Sequence, residues 1–253
     1  MNSAFQPIAD LGHRELLAYG YALINPMRVP ASEWKDLPVV PLGSPAFEGQ
    51  PHLLPRLLPL AELDDDAKAN LLERNARQWS TTGQSIFCAL LESDVDTRML
   101  AGNLGRQMLV QGPTGSTVWL RFHDPRVFSG LTWWLDKDQL RRLFGPVETW
   151  AWPEPRDAHW HHLHRPELPS PNASRLKLTG EQWDRLQRQP LVNRCVRQLT
   201  GGAPVDEDLR GLVERLDAYI CRAIAAGTVN QRDICQFALQ AERNGLSRIE
   251  EPA

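Results

Sequence analysis

The chain has 253 residues, 42% of them hydrophobic and 23% charged, enough for a sizeable core in one large domain or two small ones. Its net charge of −3 excludes the strong basic excess of a general nucleic-acid binder. No apolar run approaches the roughly 20 residues of a membrane span. The first residues also lack the basic, apolar and small-residue succession of an export signal, so the expectation is a cytoplasmic protein. Lysine occurs only at Lys35, Lys68, Lys137 and Lys177, and the remaining cations are arginines. That bias suits protein interfaces and equally reflects a GC-rich genome. Cys88, Cys195, Cys221 and Cys235 form no C-x-x-C and no close framework, which predicts reduced thiols.

Residues 16–24 read as a first strand, ended by Asn25-Pro26. Eight prolines between Pro26 and Pro59 restrict that region to short strands and loops. Asp64, Asp65 and Asp66 open a helix reaching about Gln78, where acids complement the helix dipole. Residues 85–91 form a short apolar strand, and Ser93-x-x-Asp96 starts a helix to about Met108. The turn at 111–115 leads into residues 117–152, the stretch around which the chain is organised.

In that stretch Val118, Leu120 and Phe122 alternate with Trp119 and Arg121, a strand signature. Asp124 stands at an N-cap with Pro125 at the first helical position. Val127, Phe128, Leu131, Trp134 and Leu135 then share one helical face, and Trp133 points away from it. A second helix starts at Asp136, carries Leu140 and Leu143, and stops at Gly145-Pro146. Residues 147–152 alternate again as a returning strand. Residues 153–171 hold five prolines and four histidines and read as a linker. From Thr179 the pattern is helical: Thr179-x-x-Gln182 and Thr228-x-x-Gln231 are capping-box patterns. Apolar stripes run from Leu209 to Ile224 and from Ile234 to Ala241. The fold class expected is an α/β (α+β) N-terminal lobe with a mixed sheet, followed by a small all-helical C-terminal lobe. The boundaries are 1–152 for the first lobe, 153–174 for the linker and 175–253 for the second.

The run Leu120-Arg121-Phe122-His123-Asp124-Pro125-Arg126, then Trp133-Trp134, then Phe144-Gly145-Pro146 resembles the type VI secretion effector chaperones, or adaptor proteins. His123 departs from their usual aromatic at that position, and Asn25 stands where they often carry an acid. The resemblance is strongest over 117–150, moderate over 176–245 and weak before residue 50. It implies a non-enzymatic cytoplasmic protein without a cofactor. Its implied partners are one cognate toxic effector, bound through an N-terminal segment, and the VgrG-type spike onto which the effector is loaded. Neither nucleic acid nor membrane is an expected partner.

Candidate partner-binding residues are Arg121, Phe122, Asp124, Arg126, Trp133, Trp150 and Trp152. Exposed tryptophan and arginine are frequent interface anchors. Trp150 and Trp152 share a strand face and serve either as such anchors or as a second core layer. Arg121 and Asp124 form a catalytic pair in one reading; a helix cap with a neighbouring cation explains them more simply. Cys88 in an apolar strand reads as a packing residue. His159, His161, His162 and His164 are dense enough to suggest zinc or nickel, and a metal-dependent hydrolase is the alternative function. Their spacing fits no standard ligand pattern, however, and no nucleophile elbow, phosphate loop or dinucleotide fingerprint occurs.

Overall fold

The computed structural model describes residues 13–43, 49–167, 175–205 and 208–245. Pro45, the first residues at 1–12, the linker portion at 168–174 and the end at 246–253 lie outside the described residues. The chain divides into two compact units. The first comprises Met1–Pro155 and His159–Thr179, the second Arg156–Ala158 and Gly180–Ala253.

The first unit is built on eight strands and five α-helices among the described residues: α1 (His13–Leu17), β1 (Tyr21–Ile24), β2 (Val40–Pro41), β3 (Arg56–Pro59), α2 (Asp65–Thr82), β4 (Phe87–Glu92), α3 (Thr97–Gln107), β5 (Leu109–Gln111), β6 (Thr117–Trp119), α4 (Pro125–Trp134), α5 (Lys137–Phe144), β7 (Thr149–Glu154) and β8 (His159–His164). Six strands make one sheet in the order β2-β3-β1-β4-β7-β8. The expected α+β architecture is present, but each pairing in this sheet is antiparallel where a mixed sheet was expected.

Cross-strand register sorts the side chains into two faces. Ala22, Leu58, Leu90 and Ala151 occupy one row and belong to a core cluster with Leu16 of α1 and Leu71 of α2. The opposite face carries Leu23, Leu57 and Ala89 in one row, and Leu91 and Trp150 in the next. Against that face pack α3 and α4. Buried on both faces, β1 and β4 read as continuous apolar runs rather than alternating ones.

Three elements depart from the sequence reading. The first expected strand is split: α1 ends at Leu17, and β1 begins only at Tyr21. The expected central strand at 117–122 is reduced to β6, which among the described residues pairs with β5 in a separate two-stranded sheet. Leu120 still donates its N–H to the Met108 carbonyl at 2.8 Å, after which the backbone turns to deliver Asp124 to its helix. The expected linker contains β8, which pairs with β7 from Thr149↔His164 to Glu154↔His159. The prolines obscured this. Pro153 lies beyond the β4 ladder, which ends at Ala151, so no β4 acceptor lacks its donor there.

Caps account for the other boundaries. Asp64 caps α2, Asp124 caps α4, and Asp136 with Gln139 completes a capping box on α5. Asp96, not Ser93, caps α3.

Gly105 of α3 sits where an added Cβ would collide with the Gly43 carbonyl, whereas one at Gly102 would meet only the Arg106 Nη1 at 3.7 Å. We expect Gly105→Ala to cost about 1–3 kcal/mol through forced displacement of backbone. Gly102→Ala should instead be neutral or stabilise by up to about 1 kcal/mol. Urea unfolding of the two variants checks this, and equal stabilities would rule out the close approach of α3 to Gly43.

The second unit contains α6 (Gly180–Thr200), α7 (Leu209–Ala225) and α8 (Gln231–Arg243). Val213, Leu216 and Ile220, and Ile234 and Ala238 are buried, as the apolar stripes anticipate, whereas Ile224 and Phe237 of those stripes are exposed; Val192 and Val196 of α6 are buried outside either stripe. The α8 cap is Asn230, whose side chain accepts from the Arg232 N–H at 2.8 Å; the Thr228 pattern does not form it. Among the described residues no helix is long and apolar enough to cross a membrane.

Candidate partner-binding site

The Arg121–Arg126 run crosses from the end of β6 to the first turn of α4. The Asp124 N–H donates to the Arg121 carbonyl at 2.9 Å, a tight turn that sends alternate side chains to different fates. Phe122 is fully buried and meets Trp150 edge-on at 5.7 Å. Phe128, one turn into α4, stacks on Trp150 at 4.5 Å and 15°. It also meets Trp152 edge-on at 4.9 Å. Such ring pairs contribute about 0.5–1.5 kcal/mol each beyond their burial. With Phe144 packed at 6.0 Å from Trp150, these residues form an aromatic layer between the sheet and α4.

Asp124 is the polar centre. Its Oδ1 accepts from the Arg126 backbone N–H at 3.1 Å and from Arg126 Nε at 3.0 Å, and its Oδ2 accepts from Arg126 Nη2 at 2.8 Å. Arg28 Nη1 stands 3.6 Å from Oδ2. Burial alone would raise the carboxyl pKa. Hydrogen bonds and charge from Arg126, then the charge of Arg28, outweigh it and hold the group at about 2. The Arg28 guanidinium is held below its ordinary value by burial and then by Arg126, with Asp124 opposing. Arg121, for which pairing with Asp124 or with a sheet neighbour was open, turns to a neighbour: it is exposed, with its guanidinium 5.9 Å from the centre of the Trp119 ring.

A second polar chain runs beneath α4. Trp152 Nε1 donates to Ser129 Oγ at 2.8 Å, and Ser129 Oγ donates to Glu154 Oε2. Ser129 and Glu154 are both buried. Between them these contacts satisfy the indole N–H that a buried tryptophan must place.

The seven candidate residues therefore separate. Phe122, Trp150 and Trp152 are each no more than 1% exposed and cannot be a contact surface; they are the layer on which α4 rests. Asp124 is a buried cap. Arg126 is half-buried and committed to Asp124. Arg121 and half-buried Trp133 remain at or near the surface. The structure adds Arg28, Ser129 and Glu154. Arg28 lies 96 residues before Asp124, in a proline-rich loop, and no spacing signal could have linked them.

The histidines do not converge. Period-2 geometry on β8 sends His159 and His161 to one side and His162 and His164 to the other. His161 stacks on Trp152 at 5.6 Å, and His164 Nδ1 lies 3.0 Å from Thr149 Oγ1. Among the described residues no group of three or more His, Cys, Asp or Glu side chains is arranged to hold a metal ion. The Cys88 thiol is pushed up to about 12 by burial and then by Asp124, so it is no nucleophile at neutral pH.

A family described as a domain of unknown function, DUF4123, matches residues 43–142. That span contains the Arg121–Arg126 run, α2, α3 and α4, and stops inside α5 before β7, β8 and the helical unit. No curated protein and no solved structure matches the chain.

Proposed function

We propose that this chain is a type VI secretion effector chaperone, or adaptor, which binds one cognate effector in the cytoplasm and helps load it onto a VgrG-type spike. The observation that carries this reading is the Arg121–Arg126 run. It resembles those chaperones at each position but His123 and falls within the matched span. The geometry is compatible with such a task. A buried aromatic layer and a doubly bonded Asp124 cap make α4 a rigid platform, beside which Arg121 and Trp133 are within reach of a partner. An effector's N-terminal segment is the implied cargo, and nucleic acid and membrane have no place in the scheme.

The test is co-purification of the tagged chain with the products of neighbouring effector and spike genes. Trp133→Ala and Arg121→Glu are expected to reduce retained effector at least tenfold, since loss of an interface anchor costs about 1.4 kcal/mol or more. Changing His161 and His162 together to alanine should leave retention unchanged. Absence of both gene products from the wild-type eluate would overturn the proposal.

A further inference from the structure

The helical unit carries a surface feature that the adaptor reading does not use. A groove of about 540 Å³ runs between α6 and α8, and none of its lining residues is acidic. Arg194 contributes from α6. From α8 come Arg232, Gln236, Leu239, Gln240 and Arg243. Their spacing of four, seven, eight and eleven from Arg232 places them on one side of the helix.

Four arginines of this unit are neutralised by acidic partners. Arg185 pairs with Glu181, Arg188 with Asp217, Arg210 with Glu214 and Arg215 with Glu242. Among the described residues Arg194, Arg232 and Arg243 make no ion pair. Three guanidiniums around one concave surface raise the local positive potential, although the whole chain carries a net charge of −3. Leu239, partly exposed between them, offers an apolar contact at helical spacing. A groove between two helices, lined by three guanidiniums and a leucine, is complementary to an amphipathic helix with an acidic face.

We infer that the α6–α8 groove is a docking site for an acidic amphipathic helix of a partner protein. The inference rests on the adaptor reading only for which partner supplies that helix; the chemistry rests on the groove. Carboxylates of the incoming helix engage Arg194, Arg232 and Arg243, bidentate where the forks allow, and a leucine-like side chain lies against Leu239.

The experiment uses the full chain and a synthetic helix-forming peptide with glutamates on one face and leucines on the other, followed by fluorescence anisotropy. A companion peptide carries lysines in place of the glutamates. Wild type is expected to bind the glutamate peptide, with affinity falling as salt is added, and to reject the lysine peptide. Arg232→Glu with Arg243→Glu should weaken the glutamate peptide at least tenfold and admit the lysine peptide. Arg210→Glu, which touches only the exposed Glu214 pair, should bind like wild type. Binding that is absent, or equal for both peptides, or unmoved by the double reversal in a variant of unchanged circular dichroism, overturns the inference. Effector co-purification with the double variant separates the two proposals. Undiminished effector overturns the groove as the effector's dock and leaves the adaptor reading intact. Loss of effector from wild type removes the adaptor reading and leaves the groove to be judged by the peptides.

Discussion

Replacing Asp124 with alanine is expected to lower the unfolding free energy by about 3–5 kcal/mol at neutral pH. The carboxylate does two jobs at once. It accepts the Arg126 backbone N–H as a helix cap, worth about 1 kcal/mol. It also neutralises half-buried Arg126, to which it is doubly bonded, and receives Arg28 at 3.6 Å. Removing it takes away the carboxylate that both guanidiniums face. The pH dependence has a definite sign. The folded pKa, about 2, lies below the ordinary 3.8, so the contribution is complete above about pH 4 and disappears as pH falls toward 2. Protonation should remove about 2–3 kcal/mol, less than the substitution does, because a neutral carboxyl still accepts hydrogen bonds. Urea unfolding reads both effects. A loss under about 1 kcal/mol for Asp124→Ala at pH 7 would mean the cap and its arginines are not coupled as described.

What the sequence made legible was local. Asp124-Pro125 as cap and first helical residue, Asp136 before α5 and Gly145-Pro146 after it each depend on groups within one helical turn, and each is found where spacing placed it. What lay hidden depended on distant chain. Trp150 and Trp152 alternate like residues of a strand with one open face, yet α4 covers that face, and periodicity cannot show which element will arrive. Which of its two open partners Arg121 takes was hidden for a related reason. A strand-like Arg121 would point along the sheet, but the chain leaves the strand at Trp119, and Arg126 folds back instead. The β8 histidines read as a loop because prolines flank them; only the end of the β4 ladder at Ala151 explains why Pro153 is tolerated. The candidate surface thus shrank from seven residues to Arg121 and Trp133, while the groove on α8 came from a face whose polarity carried no signal by itself.

His123 should make this protein sensitive to mild acid, and His123→Phe should relieve it. The ring is 2% exposed, packed 6.3 Å from both Phe122 and Trp119, and its Nδ1 has no hydrogen-bond partner among the described residues. Burial, then the nearby charge of Arg121, drives its pKa down to about 3 against an opposing pull from Asp124. Unfolded, the same imidazole takes up a proton near 6.5. Between those values the unfolded chain therefore binds a proton that the folded chain refuses, and stability falls as pH drops from about 6.5 to about 3. From pH 7 to pH 4.5 this single group should cost about 2–3 kcal/mol. Phenylalanine keeps the ring and its contacts, has no proton to bind, and leaves no buried nitrogen unpaired, so at pH 7 the variant should match or exceed wild type by about 1 kcal/mol. Other titrating groups act alike in both proteins and cancel in the difference. Urea titrations at pH 7 and pH 4.5 supply the comparison. If the two proteins lose stability equally over that interval, His123 is not held neutral in the folded state; a smaller loss in His123→Phe, by about 2–3 kcal/mol, identifies the ring as the group whose burial in the α4 entry turn sets the acid limit of the fold.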